Sequence, residues 1–136
     1  MRFGAVIAIV ARATFWAACG TERERTAAES VAAHVHDNMR AGDFAVVYKE
    51  SAPRIKTVAT ESEFVDYFKE VQQNFGLLKT ANEVAYEARY DSRIGRMHVL
   101  VFDLEYERGR VHEILTLVRS DSGEMQLWKL AIGSDD

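Results

Sequence analysis

The chain has 136 residues, 48% of them hydrophobic and 28% charged, with a single proline, which suits one compact domain and excludes disorder or collagen-like repetition. Seventeen Lys and Arg against 21 Asp and Glu give a formal net charge of −4. No cationic surplus exists to neutralise a phosphate backbone, so nucleic acid is not an expected partner.

Met1-Arg2 is a short positive start, and Phe3 to Ala11 is an unbroken apolar run, the outline of a secretory signal over residues 1–18. From Phe3 to Ala18 the stretch falls short of the roughly 20 residues that span a bilayer comfortably, and Arg12 would cost about 2.5–3.5 kcal/mol near its centre. Trp16-Ala17-Ala18-Cys19 resembles a lipobox, in which small residues precede a cysteine that takes diacylglycerol on its sulfur and becomes the new N-terminus. Trp16 stands where that motif usually has Leu. The resemblance implies a lipid anchor at Cys19 in the bacterial cell envelope. Gly20 after the cysteine implies the periplasmic face of the outer membrane, since inner-membrane retention typically uses Asp there. Plain secretion, a membrane-retained helix and a buried free cysteine are the alternatives. Residues 19–26 then form the lipidated cysteine and a charged, flexible tether, residues 27–133 one domain, and residues 134–136 a tail.

From Ala27 the apolar positions Ala28, Val31, Ala32, Val35 and Met39 recur at helical spacing until Gly42 stops the helix. His34 and His36 are expected on its solvated flanks; two apart, they point about 200° away from each other and cannot share a metal. Asp43 is positioned to cap a short helix carrying Phe44, Val47 and Tyr48, which Ala52-Pro53 ends, and Ile55 to Val58 reads as a brief extended piece. Thr60-Glu61-Ser62-Glu63 is a capping box. It opens a helix with Phe64, Phe68, Val71, Gln72 and Phe75 on one face and Gly76 after it.

Beyond Gly76 the pattern changes to period two, through residues 84–90, 97–106, 111–118 and 125–132, which predicts a four-strand antiparallel meander. A turn between Arg108 and Gly109 pairs residues whose numbers sum to 217, setting Glu105 opposite His112 as a surface charge pair. A turn over residues 121–124 gives a sum of 245, setting Trp128 opposite Leu117, Leu130 opposite Leu115 and Ile132 opposite Glu113. Both turns put Leu100, Phe102, Leu104, Leu115, Leu117, Trp128, Leu130 and Ile132 on one face, which the helices must cover. The other face carries Val99, Val101, Ile114 and Val118.

The order of elements predicts an α+β domain of N-terminal helices on a curved four-stranded antiparallel sheet. It resembles the nuclear transport factor two-like fold, a cone that also serves ketosteroid isomerase. Three segments look like uncharacterised bacterial lipoproteins of that group: Met39-Arg40-Ala41-Gly42-Asp43-Phe44, Phe75-Gly76-Leu77-Leu78 and the closing Leu127-Trp128-Lys129-Leu130-Ala131-Ile132. Candidate pocket residues share the inward face: Tyr86, Tyr90, His98, Tyr106, Glu113 and Trp128. The expected role is non-catalytic binding of an envelope protein or a small apolar ligand. An isomerase-like reaction, with Glu113 taking a proton and Tyr106 stabilising the oxyanion, is one alternative. A structural module dimerising through the outer sheet face is the other. The four histidines show no zinc or calcium spacing, no cofactor motif is present, and the cone is expected to be filled rather than hollow.

Overall fold

The structure, a computed structural model, describes the backbone of residues 3–134 and the side chains of residues 21–133. The side chains of the expected signal segment and of Cys19 lie outside the described residues. Four helices precede four strands: α1 (Phe3–Ala41), α2 (Phe44–Glu50), α3 (Pro53–Val58), α4 (Glu61–Phe75), β1 (Leu78–Asp91), β2 (Gly95–Tyr106), β3 (Gly109–Arg119) and β4 (Met125–Ser134). The strands pair antiparallel in the order β1-β2-β3-β4 as one open sheet. This is the expected α+β architecture, and it is consistent with a nuclear transport factor two-like cone. Among the described residues no helix is long and apolar enough to cross a membrane.

The end of α1 follows from Gly42, whose φ of +77° is open to glycine but strained for other residues. The Gly42 amide donates to the Met39 carbonyl at 3.2 Å and the Asp43 amide to the Asn38 carbonyl at 2.8 Å, the paired bonds of a Schellman ending. Asp43 therefore contributes its backbone to the end of α1, and its side chain makes no cap bond to α2, contrary to the sequence expectation.

Residues 53–58 form a helical turn where an extended piece was expected. Proline ends one helix but also suits the first position of the next, where its fixed φ is already helical and its missing N–H is not needed. The capping box of α4 is present: the Glu63 amide donates to Thr60 Oγ1 at 3.2 Å, and the Thr60 amide donates to the Glu63 carboxylate at 3.4 Å.

The hairpin between β2 and β3 turns one residue earlier than expected. Tyr106 pairs with Gly109 across a two-residue loop, so partner numbers sum to 215: Leu100 faces Leu115, Phe102 faces Glu113, and Glu105 faces Arg110. A slip of two residues changes partners but keeps every side chain on its face, so the core assignment survives while the Glu105–His112 pair does not. His112 lies opposite Asp103 instead, with Nδ1 and Oδ1 2.6 Å apart on the exposed face. Leu77, at the exit of α4, accepts from the Glu107 amide at 3.0 Å, and Phe75 accepts from the Arg108 amide at 2.8 Å, which moors this hairpin to the helix.

Between β3 and β4 the expected register holds for Leu115–Leu130 and Glu113–Ile132, and a bulge then shifts it so that Leu117 faces Leu127. Trp128 is the residue the bulge displaces. The core gathers Ala28, Ala32, Val35 and Met39 from α1, Phe64 and Phe68 from α4, and Leu100, Leu104, Leu115, Leu117 and Leu127 from the sheet. Val118, expected on the outer face, is buried, whereas Ile114 is exposed there.

Candidate functional site

The six candidate pocket residues do not converge on one chamber. Tyr86 and His98 form one group under the start of the described part of α1. His98 is sealed from solvent, its Nδ1 shares a 2.9 Å hydrogen bond with the Tyr86 hydroxyl, and its Nε2 lies 3.5 Å from Glu24 Oε2. Glu24 in turn accepts from the Arg119 guanidinium at 2.7–3.1 Å, and Arg25 donates to Glu29 at 2.6 Å and Glu83 at 2.8 Å while lying 4.6 Å over the Tyr86 ring. These contacts correct the expectation of a flexible tether over residues 21–26: the segment is helical, and Glu24 and Arg25 are docked on β1, β2 and β3.

Burial holds the His98 pKa below its ordinary value, an effect the neighbouring Glu24 carboxylate opposes and the Arg96 charge reinforces. Glu24 is itself held below the usual carboxylate range, chiefly by its hydrogen bond from Arg119.

Glu113 and Tyr106 belong to a second group, together with a residue that was expected on the solvated flank of α1. His36 is 3% exposed and Glu113 is fully buried, and His36 Nε2 meets Glu113 Oε1 at 2.6 Å. The edge of the Phe102 ring packs against the His36 imidazole with centroids 4.6 Å apart. The signal for His36 was present in the sequence. Position 36 follows Ala32 by four and precedes Met39 by three, so it lies within the stripe that α1 turns to the sheet. The second oxygen of Glu113 has no hydrogen-bond partner among the described residues.

Burial, and after it the Glu113 charge, pushes the Tyr106 pKa up to about 12. The void beside Tyr106, lined by Met39, Phe44, Phe68 and Leu78 among others, measures about 10 Å³, room for about one water and no substrate. Beside Tyr106 the interior is packed.

Tyr90 and Trp128 stand apart from both groups. Tyr90 is 79% exposed near the end of β1. Trp128, at the bulge, is half-buried under the Arg54 guanidinium, 4.0 Å from its ring. Its neighbourhood opens on a groove that the sequence reading did not identify.

The groove runs between α3, α4 and β4 and encloses about 510 Å³. Ile55 and Phe64 form a buried floor, Val58 and Tyr67 are 66% and 44% exposed on one wall, and Leu130 and Ile132 line the strand side. A physical reason accounts for it: proline starts α3 as a short turn that ends at Val58, leaving the last strand uncovered beyond it. Arg54, Lys129 and Glu63 are the charged residues along its rim.

A second hollow, about 610 Å³, lies mainly on the outer sheet face along Val99, Val101 and Ile114. A third, about 280 Å³, lies between α1 and the β1–β2 pair and is bordered by His36, Arg40 and Glu83. Among the described residues no group of three or more His, Cys, Asp or Glu is arranged to hold a metal ion. No protein-family model and no curated protein matches the chain.

Proposed function

We propose that the chain is an exported, lipid-anchored envelope protein whose domain binds a small apolar ligand in the groove between α3, α4 and β4. The observation that carries this reading is the groove itself: about 510 Å³, apolar on floor and walls, and open to solvent. That volume falls within the roughly 300–1,000 Å³ usual for small-molecule sites, and its mix of apolar walls with a few charged rim groups is the usual composition of one. The anchor rests on the lipobox-like Trp16-Ala17-Ala18-Cys19 and the apolar run before it.

An isomerase-like reaction at Glu113 and Tyr106 has less support. It needs room for a substrate against both groups, and the void beside Tyr106 is about 10 Å³. A partner protein is the competing occupant of the groove, and pairing of two copies through Val99, Val101 and Ile114 is the competing use of the sheet.

A neutral apolar fluorophore such as N-phenyl-1-naphthylamine tests the reading. The protein is expected to enhance its emission saturably, and Val58→Asp, which places a charge on the exposed wall, is expected to weaken binding at least tenfold without unfolding the domain. Enhancement that Val58→Asp leaves unchanged would place the ligand elsewhere. Cys19→Ser is expected to abolish lipid labelling and release the protein from membranes, and persistent labelling would refute the anchor.

A further inference from the structure

We infer that the groove selects an anionic amphiphile, a monomeric carboxylate carrying one apolar chain, with Arg54 and Lys129 as the residues that recognise its head. The inference rests on the binding reading above and adds the ligand's chemistry.

The groove's charges are arranged unequally. Its rim holds two cations and one acid, in a chain whose net charge is −4. The acid is already engaged: the Glu63 carboxylate accepts from both the amide and the hydroxyl of Thr60, the latter at 2.9 Å. Neither Arg54 nor Lys129 forms an ion pair with a carboxylate among the described residues. Arg54 instead lies over Trp128, 4.0 Å from the ring. Stacking of this kind occupies the face of the guanidinium and leaves its N–H edge available, and it holds a long side chain in one place before any ligand arrives. A carboxylate suits that edge, because two oxygens match the guanidinium fork in a bidentate pair. Lys129, on β4 between the groove and the outer sheet face, supplies a second positive charge. The apolar chain of the ligand would lie along Ile55, Val58, Phe64, Tyr67, Leu130 and Ile132, which line the rest of the groove.

The same head chemistry occurs on a lipid bilayer, but the surface favours a single molecule. A membrane-docking face needs a cluster of about four to eight cations near the surface, and here there are two. The apolar residues line a concave groove rather than a protruding ridge.

Trp128 provides the readout. The chain has two tryptophans, so Trp16→Phe in the full-length protein leaves Trp128 as the only one, beneath the proposed head site. This protein is titrated with decanoate, with decanol, and with phosphatidylglycerol vesicles, following tryptophan emission. Decanoate is expected to bind at least tenfold more tightly than decanol. Combining Arg54→Gln with Lys129→Gln is expected to remove that preference while decanol binding persists. Equal affinity for decanoate and decanol in the parent protein would overturn the anionic selectivity and leave the apolar-ligand reading standing. Binding of neither would overturn both. Binding to vesicles without binding to monomeric decanoate would assign the surface to the membrane and overturn the proposal.

Discussion

Between α1 and the sheet, ionisable groups are drawn inside the domain: His98 with Tyr86 and Glu24, and His36 with Glu113. At the groove between α3, α4 and β4 the arrangement is reversed, with Val58 and Tyr67 exposed and Arg54 and Lys129 left without a carboxylate among the described residues. Burying a charged or polar pair costs desolvation that its own attraction barely repays, so the α1 side gains specificity of packing more than stability. Exposing apolar area costs as well, and a folded domain has little reason to leave it open unless something covers it. The two regions therefore call for different tests: the α1 side should respond in stability, and the groove should respond in binding.

The largest effect is expected from His36→Ala. It leaves Glu113 buried beside an empty space, and loss of one partner of a buried pair costs about 3–5 kcal/mol. Replacing both together, His36→Phe with Glu113→Leu, should recover much of that loss, as chemical denaturation of the two variants and the parent protein would show. A double variant no more stable than His36→Ala would mean that shape, not charge, is what the pair provides.

A smaller effect is expected from pH. Because burial keeps the folded His98 pKa below its ordinary 6.5, the unfolded chain takes up a proton that the fold resists. Its contribution to stability is therefore full above about pH 6.5 and is lost progressively as the pH falls from there through the lower folded pKa. Glu24, whose folded pKa is below 4.5, adds a second loss as the pH falls below that point. Thermal unfolding from pH 7.5 to 5.5 should show a falling midpoint, and His98→Gln should flatten the upper part of the slope. A midpoint that rose on acidification would contradict the burial of a neutral imidazole.

These interior pairs also mark the limits of sequence reasoning. Helical and strand periodicity were enough to place α1 from Ala27 onward, α2, α4 and the four strands, because each pattern reports which face is covered. Partners along the sheet were harder: alternation survives a shift of two residues, so the face of Leu115 was legible while the residue opposite Glu105 was not. The bulge that displaces Trp128 carries no glycine or proline to announce it. Residues 21–26 look solvated because they are charged, yet Glu24 and Arg25 find partners on the sheet that lie 95 and 58 residues away in sequence. Of the candidate pocket residues, Tyr86, His98, Tyr106 and Glu113 do face inward, divided between two clusters. The groove depends on where α3 ends against β4, a relation between distant segments that no local pattern states.

The smallest effect is expected at Tyr90, which shared the inward pattern but is exposed. Tyr90→Ala should change stability by no more than about 0.5 kcal/mol in a denaturant titration, as exposed positions without a special contact usually do. A loss comparable to that of a core tyrosine would mean that the end of β1 is covered in solution.

The most direct test of the central claim is a map of amide chemical shifts in the ¹⁵N-labelled protein as decanol is added. Saturable shifts are expected at residues 54–68 of α3 and α4 and residues 128–132 of β4, with α1 and the outer sheet face unchanged. Shifts centred instead on Val99, Val101 and Ile114, or around His36 and Glu83, would contradict the claim.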